Sequence, residues 1–228
     1  DIRHVELELW KKIKDMALKG RRTGLGITAE GDMLAALGLR YGSEKALKFT
    51  VEVHKTLAVE AYRASVMMAR DRGAFQVFDA EKEKNNPMIN RLREADKSLY
   101  EDMLKYGRRN IAMLTIAPTG TTSLMSQTTS GIEPVFRPVY KRRRKINPSD
   151  HNVVATFVDE QGNAFEEYNV YHHKFVDWLT INGYDTTRLQ TISDEELDKW
   201  VAASPYNRAT ANDIDWVAKV RMQGAIQK

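Results

Sequence analysis

A short loop of small and hydroxyl-bearing residues carries the clearest chemical signal in this sequence. Four of the five residues at 119–123 carry a hydroxyl group, and the loop follows an apolar run and Pro118. A helix is predicted to begin within it. Backbone N–H groups at the start of a helix attract anions, and hydroxyl groups donate to phosphate oxygens. The residues predicted to bind phosphate are Thr119, Gly120, Thr121, Thr122 and Ser123.

A plain helix-capping turn is the alternative interpretation of the same loop. A single Ser or Thr is enough to cap a helix, whereas this loop has several hydroxyl groups in adjacent positions. The loop is not a Walker loop, because it lacks the glycine and lysine spacing of that motif.

A second turn motif, Gly131-Ile132-Glu133-Pro134, follows the loop. Gly131 permits a tight turn, and Pro134 restricts Glu133 to extended geometry. Glu133 is therefore a candidate for orienting the loop. A solvated turn carboxylate explains the same residue equally well. Pro118, Gly131 and Glu133 are assigned supporting roles.

Five consecutive cations at 141–145, Lys-Arg-Arg-Arg-Lys, form the strongest charge cluster. A solvated connector is one interpretation, and a strip that faces a phosphate or a cofactor is another. A nuclear localisation signal or a nucleic-acid patch is the third, but no other feature of the sequence supports it.

The remaining candidates for chemistry point to ordinary structure. His172 and His173 are adjacent and so point in different directions. These two and His54 are interpreted as surface or satisfied core histidines, and no metal site is predicted. The chain has no cysteine, which excludes disulfides, thiolate ligands and a cysteine nucleophile from these 228 residues. No catalytic residue is assigned to the chain.

Hydrophobic periodicity predicts the elements that position the loop. Residues 111–117 form a continuous apolar run typical of a buried strand. Residues 152–171 are predicted to form a strand, a turn at 161–163 and a second strand. Helices are predicted at 5–19, 32–37, 44–71, 88–106, 174–181, 194–203 and 212–227.

The bulk composition is that of a globular protein. Hydrophobic residues make up 42% and charged residues 29% of the chain, and the net charge is only +4. No apolar run approaches the roughly 20 residues that span a bilayer. The start of the chain has no features of a signal peptide. We therefore expect a cytoplasmic protein that binds neither membrane nor nucleic acid.

Several segments, taken in order, resemble the large chain of ribonucleotide reductases. Residues 153–205 contribute least to the resemblance. The segments are Arg-Arg-Thr-Gly-Leu-Gly-Ile at 21–27, Asp-Met-Leu at 32–34, Leu-Gly-Leu-Arg-Tyr-Gly-Ser at 37–43, Arg-Gly-Ala-Phe at 72–75, Arg-Asn at 109–110, Ala-Pro-Thr-Gly-Thr-Thr-Ser at 117–123, Gly-Ile-Glu-Pro-Val-Phe at 131–136, Asp-Trp at 215–216 and Arg-Met-Gln-Gly-Ala-Ile-Gln at 221–227.

The resemblance implies an α/β fold, namely part of a helix-rich, ten-stranded α/β barrel, with residues 1–228 as an incomplete segment of one catalytic domain. It implies a radical reaction in which hydrogen replaces the ribose 2′-hydroxyl group of a ribonucleotide. The loop at 119–123 matches the family's substrate-phosphate loop. The family's catalytic cysteines, Asn and Glu match no position of this chain, which is therefore expected to be inactive alone.

The chain resembles the adenosylcobalamin-dependent class more than the class with a separate radical-generating subunit, because of Gly120 after Pro118-Thr119 and the basic cluster after Tyr140. At Ala29-Glu30 the chain departs from the family, which often has Gly-Leu there. This departure weakens the resemblance only in that segment. The whole enzyme is expected to use adenosylcobalamin and a dithiol reductant such as thioredoxin. Its expected partners are the ribonucleotide, the remaining part of the reductase chain and a second copy of the enzyme.

A nucleotide-phosphate-binding or regulatory module without catalysis is the alternative function. The end of the chain discriminates between the two hypotheses, because a helical pattern runs to Lys228 without a capping residue. That pattern favours a segment of a larger barrel over a module with a closed core.

Overall fold

A computed structural model of the protein describes residues 2–147, 149–150 and 153–227. Within these residues there are ten α-helices, a short 3-10 helix at Thr186–Arg188 and a three-stranded sheet. The strands are β1 (Val139–Lys145), β2 (Phe157–Val158) and β3 (Ala164–Tyr171). The helices are α1 (Ile2–Gly20), α2 (Glu30–Ala36), α3 (Glu44–Arg72), α4 (Ala80–Glu83), α5 (Pro87–Ala95), α6 (Lys97–Tyr106), α7 (Gly120–Ser126), α8 (His173–Ile181), α9 (Asp194–Ala203) and α10 (Trp216–Gln227).

The chain divides into two compact units. The first contains the described residues of Asp1–Gly26, Lys48–Ala117 and Arg221–Lys228, and the second contains those of Ile27–Leu47 and Pro118–Val220. The predicted phosphate loop and the turn after it both lie in the second unit. None of the helices in the described ranges is long and apolar enough to cross a membrane.

The core of the first unit forms where α3 packs against α5 and α6. Apolar residues at helical spacing on these helices give each of them one face to bury. The fully or nearly fully buried members are Val66, Ile89, Leu92, Leu99, Met103 and Met113.

The predicted buried strand at 111–117 is wrong in two respects. The segment is extended, but it makes a single parallel bridge, between Leu25 and Leu114, and does not form a continuous strand. Thr115 N donates to Leu25 O at 2.9 Å, and Leu25 N donates to Met113 O at 2.6 Å. Within the described residues this pairing occupies only one side of the segment. Ile116 is 37% exposed, so burial is incomplete as well.

The predicted helix at 88–106 is divided into α5 and α6. The division lies at Asp96, which has extended backbone geometry and accepts a hydrogen bond from Leu99 N at 2.9 Å. A short acidic side chain competes with the helix by capping a new one, so the chain turns there instead of continuing. Helical periodicity persists across the break, which is why the pattern alone indicates one helix.

Asp96 predicts an acid-dependent contribution to stability. The Leu99 amide, Arg63 and Ser98 lower the pKa of Asp96 from 3.8 to about 2. Since the pKa is depressed in the folded state, this stabilisation is present above about pH 4 and is lost as the pH falls towards about 2. We expect Asp96→Ala to lower the free energy of unfolding by about 1 kcal/mol at pH 7.

The difference caused by Asp96→Ala should shrink when urea unfolding is repeated near pH 2. Asp71, which is exposed near the end of α3, supplies the control Asp71→Ala, and we expect little change from it. An Asp96→Ala difference that is as large at pH 2 as at pH 7 would contradict this account of the cap.

The second unit contains an antiparallel sheet in the order β1-β3-β2. Val139 lies opposite Tyr171, and Lys145 lies opposite Phe165. The predicted strand, turn and strand at 152–171 is confirmed as β2 and β3, although Asn152 itself lies outside the described residues. The aromatic and aliphatic core of this unit includes Phe175, Leu179, Leu197, Trp200 and Tyr206.

The interpretation of the basic cluster at 141–145 as a connector is wrong, because these residues lie on β1. Arg144 contacts Glu166 at 2.6 Å, Arg143 contacts Glu167 at 2.6 Å, and Lys141 contacts Asp194 at 2.7 Å. Acidic residues on β3 therefore offset the repulsion between adjacent cations and allow the strand to form.

Most of the other predicted helices are confirmed. Helix α9 has the predicted bounds, and its N-cap Ser193 accepts a hydrogen bond from Glu196 N. Ser43, predicted as the cap of α3, accepts from Ala46 N at 3.2 Å. Helix α10 begins four residues later than predicted, at Trp216.

Candidate phosphate-binding site

The predicted loop forms the start of α7, and the helix does not use the side chain before it as a cap. Thr119 has left-handed backbone geometry, with φ 50° and ψ 25°, and makes no side-chain capping bond. The first N–H groups of a helix have no partner within the helix. Gly120, Thr121 and Thr122 are exposed. The capping alternative therefore fails for Thr119, and the start of α7 presents donors to solvent.

The hydroxyl group of Thr119 is used inside the protein. It accepts a hydrogen bond from Gly131 N at 2.7 Å and lies 3.0 Å from the hydroxyl of Thr28. Thr28 donates to Thr129 O at 3.1 Å, so Thr119 is the donor towards Thr28. Thr119 thus fixes the loop to the segments behind it, and its hydroxyl hydrogen is already engaged.

Ser123 also faces inward. It is 4% exposed, and its hydroxyl donates to Gly120 O at 2.8 Å and lies 2.7 Å from the hydroxyl of Ser130. Its amide donates to Thr119 O at 2.8 Å. Among the predicted phosphate ligands, the structure therefore separates two inward-facing anchors, Thr119 and Ser123, from the exposed group Gly120, Thr121 and Thr122.

The turn after α7 supports the loop through its backbone. Gly131 has φ 47° and is buried. Its amide bonds to Thr119, and its carbonyl accepts from Glu30 N at 3.2 Å. Ala29 N donates to Thr129 O at 3.0 Å. The first of these hydrogen bonds connects Gly131 to the residue at the start of the loop.

Glu133 has a different partner from the one the sequence indicates. Its side chain is 50% exposed and forms an ion pair with Lys219 of α10. Its backbone N–H donates to Ser130 O at 2.9 Å. Gly131, rather than the Glu133 carboxylate, holds the loop. Pro118 is exposed and directly precedes the left-handed Thr119.

A buried polar cluster lies behind the turn and was missed by sequence reasoning. Asp32 of α2 is 7% exposed and accepts hydrogen bonds from Thr129 N at 2.8 Å and Tyr206 Oη at 2.8 Å. His172 Nε2 lies 2.7 Å from the same carboxylate. The prediction that His172 is a satisfied histidine is therefore confirmed, but its partner has no local sequence signal, since Asp32 lies 140 residues away.

Burial and the neighbouring Asp32 carboxylate raise the pKa of Tyr206 well above its ordinary value. Burial and the nearby Glu30 likewise raise the pKa of Tyr41, whose hydroxyl donates to Ile132 O at 2.5 Å. Both phenols therefore remain protonated donors at neutral pH, and both hold segments that flank the loop.

Comparisons with known proteins identify the family of this chain. A family model described as the ribonucleotide reductase barrel domain matches residues 3–228. A vitamin B12-dependent ribonucleoside-diphosphate reductase of Mycobacterium tuberculosis (strain CDC 1551 / Oshkosh) is 32% identical over 143 residues, which are 62% of this chain and 18% of the relative. A relative of the same description from Thermoplasma acidophilum is 26% identical over 219 residues, which are 96% of this chain and 24% of the relative.

The subunit alpha of a ribonucleoside-diphosphate reductase from Chlamydia pneumoniae is 27% identical over 146 residues, which are 56% of this chain and 14% of the relative. The chain thus spans at most 24% of each of these three relatives. The family match confirms the predicted fold class, a helix-rich part of an α/β barrel. Because the match extends over residues 3–228, this chain belongs to the ribonucleotide reductase barrel-domain family.

Proposed function

We propose that this chain is part of a ribonucleotide reductase that converts ribonucleotides to deoxyribonucleotides, and that it holds the substrate's phosphates. The observation that carries the proposal is the start of α7, which has no side-chain cap and whose first three residues are exposed. Backbone N–H groups in such a position bind phosphate oxygens without reorganising. A ribonucleoside diphosphate is the proposed substrate, since that class appears in the names of the relatives.

The proposal gives different roles to two sets of loop residues. Gly120, Thr121 and Thr122 would contact the phosphates through amides and hydroxyl groups. Thr119 and Ser123 would keep those amides in place, because their hydroxyl groups bond to the protein interior. Holding the diphosphate fixes the position of the attached ribose, and such positioning is a large part of catalysis. The radical chemistry would take place on groups outside this chain.

The whole enzyme is proposed to use adenosylcobalamin, and two of the relatives are named vitamin B12-dependent. The described side chains offer no cluster of three or more His, Cys, Asp or Glu suited to a metal ion. We assign no residue of this chain to the cofactor and derive no step through it. A dithiol reductant such as thioredoxin, the remaining reductase chain, homodimerisation, a single barrel domain over 1–228 and a cytoplasmic location belong to the same proposal.

The double variant Thr121→Val with Thr122→Val tests the loop in the enzyme assembled from this chain and the remaining reductase chain. A hydrogen bond to a charged group contributes about 1.5–3 kcal/mol, so we expect KM for the ribonucleotide to rise by about tenfold or more. Valine keeps the side-chain shape, so the fold should persist.

Thr56→Val is the matched control, because the exposed Thr56 hydroxyl donates to the Glu52 carbonyl one turn earlier on α3, outside the loop. We expect KM and kcat of this control to stay at the parent values. Unchanged KM and kcat in the double variant would remove the loop from the substrate site.

A further inference from the structure

The carboxylate of Asp32 is a buried group in the second unit with several hydrogen-bond partners, and the phosphate contacts do not use it. Its Oδ2 accepts a hydrogen bond from Thr129 N, and its Oδ1 lies within hydrogen-bond distance of both Tyr206 Oη and His172 Nε2. The Asp32 amide in turn donates to Thr129 Oγ1 at 3.2 Å. Burying a carboxylate costs desolvation free energy, which its hydrogen bonds must offset. A buried polar group whose hydrogen bonds are all satisfied makes the surrounding structure rigid.

We propose that Asp32 is a positioning residue for phosphate binding, which it controls by fixing the turn at 128–131 on which both ends of the loop depend. This inference rests on the proposed function of the loop. In this proposal Asp32 makes no direct contact with the phosphates. It acts through Thr129 and the two residues after it.

The first connection runs from Asp32 to the start of α7. Thr129, held at its amide by Asp32, accepts at its carbonyl from Thr28 Oγ1 at 3.1 Å. Thr28 is hydrogen-bonded to Thr119, the residue directly before the exposed amides. A shift of Thr129 would therefore be passed to Thr119 through one hydroxyl group.

The second connection reaches the end of the same helical turn. Ser130 follows Thr129 in the chain, and its hydroxyl lies 2.7 Å from that of Ser123. Gly131 follows in turn, and its amide bonds to Thr119 at 2.7 Å. Thr129, Ser130 and Gly131 thus hold Thr119 and Ser123 together, and Asp32 bonds to the first residue of this group.

The donors on the other side of Asp32 come from distant parts of the unit. His172 lies at the junction of β3 and α8, and Tyr206 lies after α9 and is 4% exposed. Their rings pack edge to face, with centroids 5.7 Å apart. Because Tyr206 remains protonated, it donates to Asp32 at any pH near neutrality. These contacts connect Asp32 to the apolar core, so the turn at 128–131 is held against a rigid part of the unit.

Hydrogen exchange of the 228-residue chain, without ligand, tests the positioning directly. We expect Asp32→Ala to speed exchange at the Ser123 and Gly131 amides, while the amide of Leu179 in the core of α8 keeps its protection. A purely structural role would speed all three together. Asp32→Asn retains an acceptor for Thr129 N, so it should restore most of the protection at Ser123 and Gly131.

NMR titration of the same variants with CDP tests whether the loss of positioning weakens phosphate binding. A loop displaced by a fraction of an ångström should bind CDP about tenfold more weakly in Asp32→Ala. Tyr206→Phe removes one donor without changing the packing, and it should weaken binding in the same direction by a smaller factor. This variant keeps the test decisive if Asp32→Ala does not fold. Asp159→Ala is the control, since Asp159 accepts from Gln161 and Asn163 in the separate turn before β3.

The outcomes separate the two proposals. Unchanged exchange at Ser123 and Gly131 in both Asp32→Ala and Tyr206→Phe would overturn the positioning role, whatever the loop binds. Faster exchange at these amides in a chain whose parent form binds no CDP would support the positioning of the loop and reject the phosphate assignment. Faster exchange together with weaker CDP binding supports both.

Discussion

Gly31→Ala should destabilise the second unit and displace the phosphate loop, although alanine is the better helix former. A Cβ atom at Gly31 would lie 2.6 Å from Glu133 O and 3.2 Å from Pro134 Cα. Both contacts are with backbone, which cannot move aside as the end of a side chain can. We expect the free energy of unfolding to fall by about 1–3 kcal/mol, as for other overpacked sites. The affinity for CDP should fall as well, because Glu133 lies two residues after Gly131.

Gly224→Ala is the matched control for Gly31→Ala. Gly224 is also helical, in α10, and a Cβ atom there meets nothing within 4 Å. Alanine should therefore stabilise that helix, by up to about 1 kcal/mol. Urea unfolding of both variants measures the difference. If Gly31→Ala were as stable as Gly224→Ala, α2 would not lie against the turn as described.

Thr119→Val should uncouple the loop from its support. The variant removes the acceptor of Gly131 N and the donor to Thr28, while keeping the shape of the side chain. Gly131 N retains a second, longer contact with Thr28 Oγ1 at 3.2 Å, which limits the loss. We expect the free energy of unfolding to fall by about 1–3 kcal/mol. The affinity for CDP should fall more than in the Thr121 and Thr122 double variant, because every amide of the first turn loses its fixed position.

Thr119→Ser separates the hydroxyl group from the methyl group at this position. Serine keeps both hydrogen bonds and should retain most of the stability and the CDP affinity. Urea unfolding and NMR titration of the two variants provide the comparison. Equal behaviour of serine and valine would mean that the hydroxyl group of Thr119 does not hold the loop.

Local sequence patterns predict the parts of the fold that are stabilised locally. Helix α9 has clear helical periodicity and a capping serine, and its bounds agree with the prediction. Asp96 is harder to interpret, because an aspartate within a periodic segment fits either an exposed helical position or a new cap. The hydrogen bond to Leu99 N decides in favour of the cap.

Strand β1 shows why local sequence patterns do not predict some other elements. Five adjacent cations have no alternation of apolar and polar residues, which is the usual signal of a strand. The strand forms because β3 places Glu166 and Glu167 opposite Arg144 and Arg143. These partners follow 22 to 24 residues later in the chain, and nothing local indicates the pairing.

The sequence indicates where the candidate loop lies, but it does not indicate which of the loop's side chains face inward. The run of hydroxyl groups identifies the loop, since their number exceeds what a cap requires. Which hydroxyl groups face inward depends on Thr28, Ser130 and Gly131, and only the folded chain brings these residues together. Asp32 and Tyr206 are 174 residues apart and belong to no shared motif, so their contact could not be predicted from sequence.

NMR titration of the 228-residue chain with CDP and with cytidine is the most direct test of the central claim. The two ligands differ only in the diphosphate, so any difference between them reports phosphate recognition. We predict saturable shifts of the Gly120, Thr121 and Thr122 amides with CDP and no such shifts with cytidine. Equal shifts with both ligands, or CDP-dependent shifts confined to residues outside the loop, would contradict the claim that the start of α7 holds the substrate's phosphates.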